Sequence, residues 1–255
     1  MSRLVASDGL ALIEPDWPLP AGVRACVTTR AGGLSVAPHA GLNLGTHVGD
    51  DPEAVAANRA RLRRHLPAEP LWLQQVHGLA VADADLACGL PEADAVVARR
   101  AGRVCAVLTA DCLPVLLCDV AGTVVGAAHA GWRGLAAGVI EAVLEKMAVA
   151  PQAVTAWMGP AIGPQAFEVG EEVRACFVDL DAAASAAFVP AGSPGKWRAD
   201  LFLLARQRLM RAGVSSIHGG GVCTHGDAAR FYSYRRDGVT GRFASLIWLE
   251  RGDGS

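Results

Sequence analysis

The stretch VCAVLTADCLPVLLCDVAGTVVGAAHA, residues 104–130, decides the fold of this chain. It is the most apolar part of the sequence, yet Asp111, Pro114 and Asp119 cut it into short pieces. It therefore reads as successive buried strands at 104–109, 115–119 and 123–128, not as a bilayer span. Runs of the same character lie on either side, at 23–29, 71–76, 93–98, 154–158, 214–217 and 244–249. Helical signals are fewer. Asp51 can cap a helix over 52–66 with Pro52 at its first position, and Asp200 can cap one over 201–211 ahead of Gly213. Two more helices are expected at 134–147 and 170–180. Because the strands cluster instead of alternating strictly with helices, the expected class is α+β, with mixed β-sheets flanked by helices. Residues 181–196, rich in Ala, Gly, Ser and Pro, read as a long loop.

At 255 residues, with 52% hydrophobic and 19% charged content, the chain supplies the core of one domain spanning 1–255. A net charge of −2 with scattered arginines gives no basic field for a phosphate backbone, which argues against nucleic acid as a partner. Seven cysteines without a C-x-x-C spacing point to a reducing, cytoplasmic setting. The first twenty residues lack the continuous apolar core of a leader peptide, and no segment is long enough for a membrane span. Neither a Walker loop nor a strand-linked G-x-G-x-x-G is present; the triplet Gly219-Gly220-Gly221 precedes Val222-Cys223 and no helix.

Chemistry gathers at the ends of three apolar runs, where His77, Cys112 and His129 stand. If the runs are neighbouring strands, two imidazoles and one thiol meet on one rim and leave a fourth position free, the pattern of a catalytic zinc. Taken singly, each is as readily a packing residue, since cysteine is among the most buried types. Cys26, Cys105, Cys118 and Cys176 are read that way, while Cys223 could line a site. Beyond His129, the segment AGWRG opens a helix, so that Arg133 and exposed amides could cradle an anion. Asn43 and His47, in the glycine-punctuated stretch 41–51, offer hydrogen bonds suited to a sugar or base. Arg59 and Arg235 could bind an anionic group. Asp111, beside Cys112, is the nearest carboxylate in sequence that could hold a ligand imidazole or shuttle a proton; its plainer role is to bond the backbone of a tight turn.

With QQVHG, TADCLPVLL, HAGWRG, MGPAIGP and CTHGDAARFYSYRRDGVTGR in this order, the chain resembles the polyphenol-oxidase-like (laccase-domain) purine nucleoside phosphorylases. That family includes the peptidoglycan editing factor, and the likeness runs from about residue 23 to 249. It implies a four-layer α/β/β/α fold and one zinc on His77, Cys112 and His129. It also implies phosphorolysis of adenosine, inosine and methylthioadenosine, and adenosine deaminase activity. A multicopper oxidase needs His-x-His pairs, and the seven histidines here include none two apart. Cu2+ can nonetheless substitute for Zn2+ on such N/S ligands, which leaves copper-dependent polyphenol oxidation as a minor reading. Two other classes stay open. One is a cysteine-type or metal-assisted amidase editing a nucleotide-linked muramyl amino acid cell-wall precursor; in the cysteine type Cys112 is the nucleophile and His129 or His77 its base. The other is a non-catalytic zinc-binding module.

Overall fold

Burial on both faces explains why residues 104–119 are apolar at nearly every position. The computed structural model describes residues 3–7 and 9–250. Residues 1, 2, 8 and 251–255, and with them the ends of the domain expected over 1–255, lie outside the described residues. An antiparallel sheet runs in the order β1 (Arg3–Ser7), β2 (Leu10–Glu14), β3 (Val23–Thr28), β14 (Phe243–Leu249), β6 (Val104–Thr109). A second, mixed sheet runs β13 (Ser216–Gly219), β9 (Val154–Met158), β7 (Leu113–Asp119), β8 (Val125–Ala130), β5 (Ala95–Ala98), β4 (Val81–Asp83). In it β13 is parallel to β9 and β4 to β5, and the other pairs are antiparallel. A small antiparallel sheet joins β10 (Glu168–Gly170), β12 (Lys196–Ala199) and β11 (Phe188–Pro190).

The period of two along each strand assigns alternate side chains to different layers. On β6, Val104, Ala106 and Leu108 face a cluster with Leu62 and Leu66, supplied by α1 (Pro52–Arg63) and the turn after it. Cys105 and Val107 face the other way, toward Leu116 and Cys118 of β7 and Val125 and Ala127 of β8. The outer face of the six-stranded sheet, with Leu113, Val115 and Leu117, is covered by a third cluster. Its helices are α2 (Trp132–Ala137), α3 (Val139–Met147), α4 (Glu171–Val178) and α5 (Leu201–Arg211). The result is helix, sheet, sheet, helix: four layers, α+β in class, as the sequence and the resemblance imply. Between β6 and β7 the chain leaves one sheet for the other, and the crossing is Ala110-Asp111-Cys112.

Several expectations are corrected. The run 71–76 is not a ladder strand: it makes single bridges, Leu71 to Cys105 and Gln74 to Glu92. Just after them the Gln75 side-chain amide takes the place of backbone, donating to the Leu108 carbonyl and accepting from its N–H, both at 2.8 Å. The helix expected over 134–147 is two, because Gly138 adopts φ 111°; a Cβ there would also crowd Arg208 Nη2 at 3.3 Å. The loop 181–196 contains a 3-10 helix, Ala182–Ala187, and β11. Cys176 is exposed, since α4 buries Val173 and Phe177 instead. Both caps stand as expected: Asp51 accepts from Glu53 N–H, and Asp200 from Phe202 and Leu203 N–H. Among the described residues no helix is long and apolar enough to cross a membrane.

Candidate metal centre and active site

Cross-strand register builds the centre. On β8, His129 shares the inter-sheet parity of Val125 and Ala127, and it lies opposite Pro114 of β7. Ala95 of β5 pairs with Ala128, so Asp94, one residue before β5, comes beside His129, whose N–H donates to the Asp94 carbonyl at 2.7 Å. Cys112, one residue before β7, has the same parity as Leu116 and Cys118. His77 arrives from the irregular segment 71–77 with φ 62°, a conformation uncommon without glycine. The donor atoms of His77, Cys112 and His129 all lie within 4.8 Å of one another.

The carboxylate of Asp94 anchors this arrangement. Its Oδ1 accepts from His129 Nδ1 at 2.8 Å and from the His77 N–H at 2.9 Å. Its Oδ2 accepts from the Val76 and Gly78 N–H groups at 3.1 and 2.6 Å. Burial would raise its pKa, but these donors and the charge on His129 bring it below the usual carboxylate range. With Nδ1 so engaged, His129 turns Nε2 toward Cys112 and His77. Cys112 Sγ stands 3.7 Å from His77 Nε2, close to the ~3.5 Å separation of N and S ligands on one tetrahedral zinc. The two imidazoles meet edge to face, 4.7 Å between centroids. Burial opposes charge on Cys112 and on His129, yet each sustains the other. His129 and His77 draw the thiol down to about 6, and Cys112 with Asp94 lifts the imidazole to about 9. Gly131 is required by this crowding, because a Cβ there would lie 2.8 Å from His77 Cδ2 and 3.0 Å from Cys112 Sγ. Two nitrogens and one thiolate at this spacing, with one imidazole already held by a carboxylate, fit a zinc ion.

The centre opens on a cavity of about 470 Å³. Of the residues singled out in the sequence, His47, His77, Asp111, Cys112, His129, Arg133 and Arg235 line it. Arg133 is exposed and stacks on Trp132, 4.4 Å from the ring; α2, at whose start it sits, is a six-residue helix. Arg235 donates to the Ala166 and Glu168 carbonyls and lies over Phe167. His47 is held below its ordinary pKa by burial and by the charges of Arg242 and Arg59. Asn43 and Arg59 do not line the cavity. Asn43 is buried and bonds Gly45, Asp50 and the Arg242 N–H, while Arg59 donates twice to the Leu44 carbonyl and stacks on Trp72. Asp111 holds no imidazole. At φ 90° its carboxylate accepts from Thr224 Oγ1, Ser233 Oγ and the Arg235 N–H, tying the C-terminal segment to the crossing between sheets. The imidazole-holding carboxylate is Asp94, an acid at the head of an apolar run, whose place beside His129 depends on strand register. Cys223 is drawn aside, its Sγ accepting from Gly163 N–H. Gln75, Thr109, Trp132, Phe167 and Arg242 also line the cavity, and the Thr109 hydroxyl is buried with no protein partner.

Fold and site together define a four-layer α+β protein with a three-donor centre on the rim between its sheets. Residues 24–250 match the family described as multi-copper polyphenol oxidoreductase laccase, and the chain belongs to that family. It is 58% identical to a purine nucleoside phosphorylase of Pseudomonas aeruginosa, over 94% of this chain and 99% of that one. It is 54% identical to the purine nucleoside phosphorylase YfiH of Escherichia coli, over 93% and 98% of the two chains. Among solved structures, a Neisseria meningitidis protein superposes with a TM-score of 0.91 at 50% identity, over 94% of this chain and 99% of that one. YlmD of Geobacillus stearothermophilus gives 0.84 at 32% identity, over 97% and 98%.

Proposed function

We propose that this chain is a zinc-dependent purine nucleoside phosphorylase whose metal is held by His77, Cys112 and His129. The observation that carries the reading is that three donor atoms, His129 on β8, Cys112 just before the neighbouring β7 and His77 on the segment beside them, converge at the wall of a nucleoside-sized cavity. The names of the relatives supply the substrate class. When bound, zinc supplies a Lewis acid at the open side of the cluster. The remaining work falls to the protein. Arg133, free of any ion-pair partner among the described residues, and Arg235 orient phosphate against the anomeric carbon. Trp132, Phe167 and Ile162 give the planar base an apolar wall. The partnerless Thr109 hydroxyl and His47, its pKa lowered by burial and by the charges of Arg242 and Arg59, are left for sugar or base. Adenosine deamination belongs to the same centre. Zinc is favoured over copper because the described residues hold one three-donor group, without the His-x-His pairs a multicopper cluster needs. The catalytic unit is the single domain of 1–255, working in the cytoplasm.

The test pairs metal analysis with product detection from a nucleoside panel, with and without phosphate. The expected result is one zinc per chain, phosphate-dependent release of base from adenosine, inosine and methylthioadenosine, and phosphate-independent ammonia from adenosine. Full phosphorolysis by dialysed, metal-free protein would overturn the reading.

One observation favours a second reading. Cys112, His129 and Asp94 stand in the order of a thiol, its base and the base's orienting carboxylate, with the thiol brought down to about 6. That order suits an amidase acting on a nucleotide-linked muramyl amino acid. A covalent adduct trapped on Cys112 in zinc-loaded enzyme supports it, because a coordinated thiolate is poorly available; failure to trap one counts against it.

A further inference from the structure

Two of the three donors hang on one buried carboxylate. We infer that Asp94 is the positioning residue that couples His77 to His129, fixing one imidazole through its ring and the other through its backbone; the inference rests on the metal reading above. Asp94 is fully buried, and each of its oxygens makes two bonds, so all four have defined donors. Toward His129 it selects the form with a proton on Nδ1, which leaves Nε2 as the only nitrogen that can face Cys112. Toward His77 it makes no contact with the ring. It gathers three consecutive amides, 76 to 78, and a carboxylate receiving a row of N–H groups holds that backbone in the left-handed turn seen at His77. An exposed side chain on an irregular segment would otherwise have no fixed place. The fit is demanding, because every group facing the carboxylate is a donor. An asparagine would present its amide nitrogen to two of them, losing bonds and adding a clash of like dipoles. Asp111 performs an analogous service for the neighbouring crossing, but toward Thr224, Ser233 and Arg235 and not toward a ligand.

The experiment uses full-length protein labelled with ¹⁵N at histidine and at the backbone, without metal and with one equivalent of zinc, beside Asp94→Asn. In wild type the expected result is an exchange-protected Nδ1 proton on His129 in both states, with protected amides at 76–78. In folded Asp94→Asn that protection disappears, and zinc affinity, measured against a chromophoric chelator, falls about 10- to 100-fold. An unprotonated or freely exchanging Nδ1 in the wild type overturns the inference without any variant, even if Asp94→Asn fails to fold. So does a folded Asp94→Asn that binds zinc within about twofold of wild type. Wild type that binds no zinc overturns the metal reading instead, and the Nδ1 proton and the 76–78 amides still decide the role of Asp94.

Discussion

Two polar clusters in this molecule look alike in sequence and differ in one respect. Around 35–58, Ser35, Asn43 and Asn58 lie buried among glycines, together with the side chain of Asp50 and close to a histidine, His39. Their bonds close on themselves: Ser35 Oγ and Asn43 Nδ2 both donate to Asp50 Oδ2, at 2.6 and 2.8 Å. Asn58 Nδ2 donates to Ser35 Oγ and the carbonyls of Gly41 and Asn43, and its Oδ1 accepts from Leu34 N–H. His39 spends its ring on the Val48 carbonyl and Asp50. Around 77–129 the carboxylate is equally satisfied, but Sγ of Cys112 and the Nε2 atoms of His77 and His129 are left facing one another and a cavity. A cluster whose hydrogen bonds are all answered inside the protein holds the fold; one with converging atoms left over holds something else.

The largest effect expected from this contrast is on Cys112→Ala, which should abolish zinc binding and lower phosphorolysis at least about 1,000-fold. Its thermal stability should stay near that of metal-free wild type, because the core does not depend on the metal. Metal analysis, turnover and a melting curve check all three, and near-normal activity would break the distinction. The mirror experiment is Asn58→Ala. Leaving several buried partners unanswered should destabilise the fold by about 3 kcal/mol in urea titration while zinc affinity is unchanged.

Acidity sharpens the same contrast. In metal-free protein the Cys112 thiol sits at about 6 and the His129 imidazole at about 9, so between those values the pair keeps one proton on His129. Zinc must displace it, so affinity should rise about tenfold per pH unit through that window and fall more steeply below it. A flat competition titration from pH 6.5 to 8.5 would refute the pairing. The Asp50 cluster behaves differently. Burial would raise this carboxyl, but the Ser35 and Asn43 donors hold it below its ordinary value. Its contribution to stability is therefore complete above the unfolded value and lost only as pH falls through the folded one, in strong acid. The smallest effects belong to the rim. Gly131→Ala should weaken zinc by roughly tenfold through contact with His77 and Cys112, and Arg133→Ala should slow the phosphate-dependent reaction severalfold more than deamination. Equal losses in the two reactions would make Arg133 structural.

Much of this was legible in the chain. Short apolar pieces parted at Asp111 and Asp119 gave the strands, because a strand buried on both faces needs no alternation; Pro114 does not break the run but lies inside β7, opposite His129. Asp51 and Asp200 marked helix starts through a local hydrogen bond. The trio of His77, Cys112 and His129 was legible as residue types at run ends, although the run before His77 proved to be irregular. What was hidden depends on register and tertiary context. Asp94 meets His129 across a ladder, 35 residues away in sequence, and nothing local distinguishes it from Asp111. Asn43 and Arg59 carry the right chemistry for a ligand, but neither lines the cavity: Asn43 bonds Gly45, Asp50 and Arg242, and Arg59 donates to the Leu44 carbonyl and stacks on Trp72. The break at Gly138 was masked by apolar periodicity that continues through it.

The position of β7 and β8 gives the centre an unequal lifespan on its two sides. Each strand is paired along both edges and buried on both faces. Their amides should exchange with solvent only when the whole molecule unfolds. Cys112, just before β7, and His129, on β8, are thus mounted on the slowest-opening part of the protein, while His77 rides at the end of an irregular segment held by single bridges and by the Gln75 and Asp94 side chains. The cluster should come apart in a fixed sequence, the His77 arm swinging free many times for each event that separates Cys112 from His129. A ligand entering or leaving the centre would then do so past His77, without disturbing the sheets.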